Sequence, residues 1–223
     1  PVCYAPITIR HGMTAGEISL FMSAQKNLSA PTVIPMEGWR RSMLFSETGF
    51  PWVPTSPSAS SLEMALLYPG TCLIEGTNVS EGRGTSVPFQ VLGAPWIDAL
   101  DLSKAVNALN LPGIKARPVH FRPSYSKWAG NICQGIQIHI FEPNVVRPVE
   151  TGVRLLFTLR DLYPENFEVT PPGPNGKHFL DLLCGGAQLT DALKHDSSPD
   201  RLLDTWNKEA QDFTSKREDF LIY

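Results

Sequence analysis

The stretch Glu75-Gly76-Thr77-Asn78-Val79-Ser80-Glu81-Gly82-Arg83-Gly84-Thr85 concentrates more potential chemistry than any other part of the chain. It holds three glycines, two carboxylates, one arginine and four hydroxyl or amide side chains around one apolar residue. Glycines let a ligand approach the backbone, and function gathers on loops held by a rigid scaffold. Arg83 can grip a carboxylate or phosphate through two parallel hydrogen bonds. Glu75 can act as a general acid or base, or accept from a sugar hydroxyl. The competing reading is an ordered turn whose polar groups satisfy one another. The spacing matches neither G-x-G-x-x-G nor G-x-x-x-x-G-K-[ST], and it contains no G-x-S-x-G. It therefore points to neither a nucleotide loop nor a nucleophile elbow.

Other candidates are weaker. Arg10-His11-Gly12 precedes a helix opened by Thr14, where backbone N–H groups favour an anion, and His11 can titrate near neutrality. The alternative there is a structural turn with a surface arginine. Ser124-Tyr125-Ser126-Lys127 fits S-x-x-K, but so does Ser23 to Lys26, and no K-T-G follows. We read the match as coincidence and carry a serine acyl-hydrolase only as a distant alternative. Trp96, Tyr125 and Trp128 suit stacking on a sugar ring or core packing. His120 and His139 fall on strands and read as structural. Cys3, Cys72, Cys133 and Cys184 are widely spaced, with no C-x-x-C, C-x-x-H or H-E-x-x-H, so no metal site is expected. Cys72 and Cys133 could pair in an exported protein, with four buried thiols as the alternative.

Mixed elements must position these groups. Strands are expected at Tyr4–Ile9, Thr32–Met36, Thr71–Ile74, Phe89–Leu92, Ile114–Phe121 and Gly135–Phe141. Helices are expected after the Thr14-x-x-Glu17 capping box, from Ser60 or Ser61 to Tyr68 with Pro69-Gly70 as the stop, and from Asp98 or Asp101 to Leu109. Two more are expected from Pro148 to Tyr163 and after the Ser198-Pro199 pair. Leu202, Trp206, Ala210 and Phe213 form one face of the last. The alternation of strand, loop, strand and helix reads as α/β, with a boundary near Pro95 to Asp101.

The chain has 223 residues, 42% hydrophobic and 18% charged, with a net charge of −3. This composition is globular. The lack of a basic block argues against nucleic acid and against a membrane-surface helix. The near-continuous apolar run Val153–Leu159, interrupted by Arg154, is too short to span a bilayer. No cofactor motif is present. The chain opens on Pro1-Val2-Cys3-Tyr4 as though a strand were already under way.

The motifs combine in a specific order: Arg10-His11-Gly12-Met13-Thr14, Val33-Ile34-Pro35-Met36-Glu37-Gly38-Trp39-Arg40-Arg41, Thr48-Gly49-Phe50-Pro51-Trp52-Val53, Tyr68 through Thr85 with Pro88-Phe89, and Gly93-Ala94-Pro95-Trp96-Ile97-Asp98. This series resembles the bacterial exo-β-N-acetylmuramidases of the NamZ type, and the resemblance extends to Phe121-Arg122-Pro123, Ser126-Lys127 and the terminal Leu221-Ile222-Tyr223. It implies a glycoside hydrolase that releases terminal N-acetylmuramic acid from the non-reducing end of peptidoglycan fragments, commonly exported to the periplasm or beyond. It implies a Rossmann-like domain followed by a smaller α+β domain, here 1–98 and 99–223. The chain corresponds to the later half of such a protein. The missing N-terminal portion is then a partner, carrying the Gly-Pro-Glu-His-type motif associated with the catalytic carboxylate. Where the family has Ser-Pro-Asn, this chain has Ser56-Pro57-Ser58.

Muramic acid carries a lactyl carboxylate, for which an arginine is the natural reader. Arg83 is the first choice and Arg10 the second. Asn78, Thr77 and Ser80 suit hydroxyl and acetamido groups, His11 lies beside Arg10, and Glu75 is the candidate second carboxylate of a glycosidase pair. The alternative is a non-catalytic carbohydrate- or anion-binding half-protein.

Overall fold

Ile136, Ile138 and Ile140 alternate with Gln137 and His139 and build the central strand of the structure, a computed structural model that describes residues 5, 7–195 and 197–223. The strands are β1 (Val91–Ala94), β2 (Ile114–Phe121) and β3 (Cys133–Ile140), in the order β1-β3-β2 with both pairings antiparallel. Leu92 stands opposite Ile136 and Ala116 opposite Ile138. β1 precedes the boundary expected at 98 and 99, while β2 and β3 follow it, so one sheet joins residues from both sides.

The helices are α1 (Ala15–Gln25), α2 (Leu62–Thr71), α3 (Ala99–Ala108), α4 (Pro148–Leu162), α5 (Phe179–Cys184), α6 (Gln188–Lys194) and α7 (Pro199–Arg217). The result is a mixed helix and sheet architecture. Local chemistry explains the starts. Ser61 Oγ accepts from Met64 N, and Asp98 Oδ1 accepts from Leu100 N and Asp101 N; each such cap contributes about 1 kcal/mol. Pro148 and Pro199 occupy first-turn positions, where a missing N–H costs nothing.

Two expected strands are helical or irregular instead. Thr71–Ile74 is no strand: α2 runs through Pro69-Gly70 to Thr71 and tightens into a 3₁₀ turn, Cys72–Gly76. Proline in the last turn forfeits one backbone bond and still lets the helix finish. The short apolar run looked strand-like because Leu73 and Ile74 are fully buried, and such runs fit either state. Thr32–Met36 is irregular and pairs with no strand among the described residues. Of the expected strand Tyr4–Ile9, residues 4 and 6 lie outside the described residues, and residues 5 and 7–9 are not strand.

The chain separates into two compact units. The larger spans Trp52–Leu202. Its core holds Leu67, Leu73, Ile74, Leu92, Ile136, Ile138, Leu155, Leu156 and Leu159, each contributing about 1.5–3 kcal/mol by burial. α2 crosses α4 at Gly70 and Gly152: a Cβ on either would collide with the other helix's backbone. α3 covers β2 and clamps its edge, with Asn107 Oδ1 accepting from Ala116 N at 2.9 Å and Asn107 Nδ2 donating to Ala116 O at 2.7 Å.

The smaller unit comprises Ile7–Pro51 and Leu203–Tyr223. Met13, Phe21 and Phe213 form its core, with Phe220 edge-on to Phe21 at 5.2 Å. The Thr14 capping box forms as the sequence suggests. Its Glu17 carboxylate, fully buried, accepts from Thr14 N, from Arg41 and from Ile222 N. Burial alone would raise the Glu17 pKa; the bonds from Arg41, Thr14 and Ile222 outweigh it and hold it at about 2.

Candidate functional site

The loop after the 3₁₀ turn is folded back on a charge network of its own. Arg83 stands at its centre. Its Nη2 lies 2.9 Å from Glu75 Oε2, its Nε 3.2 Å from Glu81 Oε1, and its Nη1 donates to Ser58 Oγ at 3.0 Å. The guanidinium carbon lies 4.9 Å from the centre of the Phe89 ring. Burial would lower the Arg83 pKa, but the facing Glu75 and Glu81 carboxylates more than offset it and raise it. Of the five N–H donors of an arginine, Arg83 spends one on Glu75 and one on Ser58 in hydrogen bonds, while its Nε faces Glu81 as an ion pair.

Lys127 closes the network from the loop between β2 and β3. Its Nζ is 3.0 Å from Glu81 Oε2 and donates to Ile74 O at 3.0 Å and Val79 O at 2.9 Å. Burial lowers the Lys127 pKa, and Glu81 and Glu75 recover only part of that. The order Glu75, Arg83, Glu81, Lys127 alternates in sign and sums to zero. Glu81 is 3% exposed, whereas the Glu75 side chain is 15% exposed and receives a hydrogen bond from Arg83 on Oε2.

Beside Arg83 opens a cleft of about 290 Å³ lined by Trp52, Ser58, Met64, Tyr68 and Phe89. That volume is at the small end for ligand sites. Trp52 and Tyr68 give it aromatic faces, and Tyr68 is raised in pKa by burial and by the Glu75 charge.

The other residues expected to bind substrate are placed differently. Thr77 and Ser80 are fully buried. Thr77 donates to Ile74 O and accepts from Val79 N, and Ser80 Oγ accepts from Gly82 N. Asn78 donates to Asn166 O and accepts from Glu168 N, while its carbonyl takes the Trp128 indole at 2.7 Å. All three hold the loop's shape. Arg10 and His11 belong to the smaller unit, Arg10 exposed and His11 half-buried. His11 is lowered in pKa by burial and by Arg217. The anion at the start of α1 is the chain's own Glu17, and the His11 and Gly12 carbonyls accept from Arg217, Gly12 also from Arg41.

Glu81, Lys127 and Ser58 are the members that spacing did not single out. In sequence Lys127 stands out only as the end of a chance S-x-x-K and within the Ser126-Lys127 pair of the family resemblance, neither of which gives it a role. Trp96 packs edge-on against Tyr163, which leaves Tyr125, 52% exposed, as the open aromatic of the three considered. Cys72 and Cys133 are separate free thiols, and Cys184 is also free. Among the described residues no group of three or more His, Cys, Asp or Glu could hold a metal ion, and no helix is long and apolar enough to cross a membrane.

Residues 1–63 match the family model for the N-terminal domain of exo-β-N-acetylmuramidase NamZ, and residues 66–223 match that for its C-terminal domain. The chain belongs to the NamZ exo-β-N-acetylmuramidase family. A curated NamZ relative, the peptidoglycan β-N-acetylmuramidase of Bacillus subtilis, is 37% identical over 219 residues, covering 98% of this chain and 52% of the relative. Crystal structures of two DUF1343 family proteins from Bacteroides fragilis share the fold. One is 29% identical with a TM-score of 0.85, the other 23% identical with a TM-score of 0.63, and each match covers 96% of this chain and 56% of the other. This NamZ-family chain thus spans about half the length of the relatives it matches.

Proposed function

We propose that the chain is the sugar-holding part of a glycoside hydrolase that releases N-acetylmuramic acid from the non-reducing end of peptidoglycan fragments. Family membership supports the reaction class. The observation that carries the residue assignment is the Glu75–Arg83 pair: a partly buried carboxylate held by an arginine that lines an aromatic cleft. A glycosidase uses two carboxyl groups, and Glu75 is the one this chain contributes. The Arg83 N–H groups not bonded to Glu75 and Ser58 serve the lactyl carboxylate, with Trp52 and Tyr68 stacking against the sugar. Thr77, Asn78 and Ser80 act by fixing the loop.

The reading of residues 1–98 as the later part of a Rossmann-like domain rests on the family resemblance, and residues 1–63 match the family's N-terminal model. The remaining portion of the family's length supplies the other carboxylate. The reaction takes place outside the cytoplasm, where peptidoglycan lies.

Titration of the chain with N-acetylmuramic acid and with N-acetylglucosamine tests the assignment. A charge-assisted contact contributes about 1.5–3 kcal/mol, so muramic acid should bind at least about tenfold tighter. Arg83→Met should erase the difference. Equal binding of the two sugars by the native chain would refute the arginine's role. Binding without turnover, even with the complementary portion present, would favour the non-catalytic carbohydrate-binding alternative.

A further inference from the structure

Glu81 is a buried carboxylate with no direct path to a ligand, and Lys127 is a largely buried ammonium whose donors all go inward. A buried ion pair contributes little to stability, so its presence beside an arginine needs another reason. The backbone is bent to make it. Ser126 and Trp128, on either side of Lys127, have φ of 71° and 59°, and Phe89 under Arg83 has φ of 63°. Left-handed backbone at such residues costs about 1–3 kcal/mol each and gathers where function over-determines geometry. Gly84, at φ +83°, allows Ser124 N and Tyr125 N to approach within 2.7 Å of where a Cβ would stand, which brings in the Lys127 loop.

We propose that Glu81 and Lys127 are positioning residues: Glu81 holds Arg83 from behind, Lys127 balances the Glu81 charge, and together they fix the orientation and charge environment of Glu75. This rests on the reading of Glu75 as the reactive carboxylate. Without Glu81, one face of Arg83 is unanchored and its full charge falls on Glu75. Without Lys127, Glu81 competes for Arg83 uncompensated.

Other titratable groups near Glu75 are few among the described residues. Tyr68 comes from α2 and Cys72 from the same 3₁₀ turn. α5, packed on that turn, carries Asp181 and Cys184; Asp181 is engaged by Thr190 and by His178 N. On α4, Glu150 is paired with Arg154 and Arg147.

The test is ¹³C NMR titration of the Glu75 carboxyl in the whole chain, in variants checked for native spectra. Glu81→Gln removes a negative charge, so the Glu75 midpoint should fall. Lys127→Met removes a positive charge, so it should rise. Each shift should be about half a pH unit or more. The double variant should return near the native value, and Lys127→Arg should leave it in place. A structural role would loosen the loop in every case and move all variants the same way. Shifts of one sign, or none, would overturn the proposal. If Lys127→Met alone does not fold, Glu81→Gln against the double variant decides, since adding the lysine loss must raise the midpoint. A Glu75→Gln variant still active in the complemented enzyme would remove Glu75 from the mechanism while leaving these titrations to be read on their own.

Discussion

Arg83 donates to Glu75 across 2.9 Å, over eight residues of a loop whose Thr77 and Ser80 side chains are turned inward. That geometry divides the loop into two kinds of residue. Thr77, Asn78 and Ser80 make the loop, and Glu75 and Arg83 are what it presents. Polar composition alone could not separate the two.

Glu17 makes the smaller unit sensitive to acid. Its pKa is lowered from 4.5 to about 2, so its contribution to stability is complete above the unfolded value and fades as pH falls toward 2. The difference amounts to about 3 kcal/mol. Chemical unfolding at pH 7 and pH 3 should show the loss in the native chain, and Glu17→Gln should be less stable at pH 7 with a flatter profile.

The α2–α4 crossing should not tolerate a methyl group. Gly152→Ala should cost about 1–3 kcal/mol through overpacking, because the new Cβ meets the Gly70 carbonyl. Gly186→Ala, where nothing lies within 4 Å, should be neutral within about 0.5 kcal/mol. Denaturant midpoints of the two variants give the comparison.

The described thiols should be inert. Burial pushes Cys72 and Cys184 up to about 12 and Cys133 up to about 11. Iodoacetamide at pH 8, followed by peptide mass spectrometry, should find these three unmodified until denaturant is added, and no Cys72–Cys133 crosslink. Labelling of Cys72 in the native chain would contradict its burial.

Elements governed by local chemistry were legible in the sequence. The Thr14 and Asp98 caps, the Pro148 and Pro199 starts and the isoleucine alternation of β3 each name their element within a few residues. The Thr71–Ile74 segment was not, because burial on every side erases periodicity and Pro69 suggested an ending that tertiary packing overrode. The short helices α5 and α6 carry too few turns to show a face. In the site, Glu75 and Arg83 were visible as residue types in a glycine-rich loop. Lys127 was not, because its partner Glu81 lies far back in the chain and only the folded loop between β2 and β3 brings them together.

Turnover of a chromogenic N-acetylmuramic acid glycoside is the most direct test. The chain is assayed alone and with the complementary portion of the family's length, as native and as Glu75→Gln. The native complemented enzyme should release the sugar, and the variant should lose at least about a hundredfold, as for removal of a general acid–base group. Undiminished turnover by Glu75→Gln would contradict the Glu75 assignment.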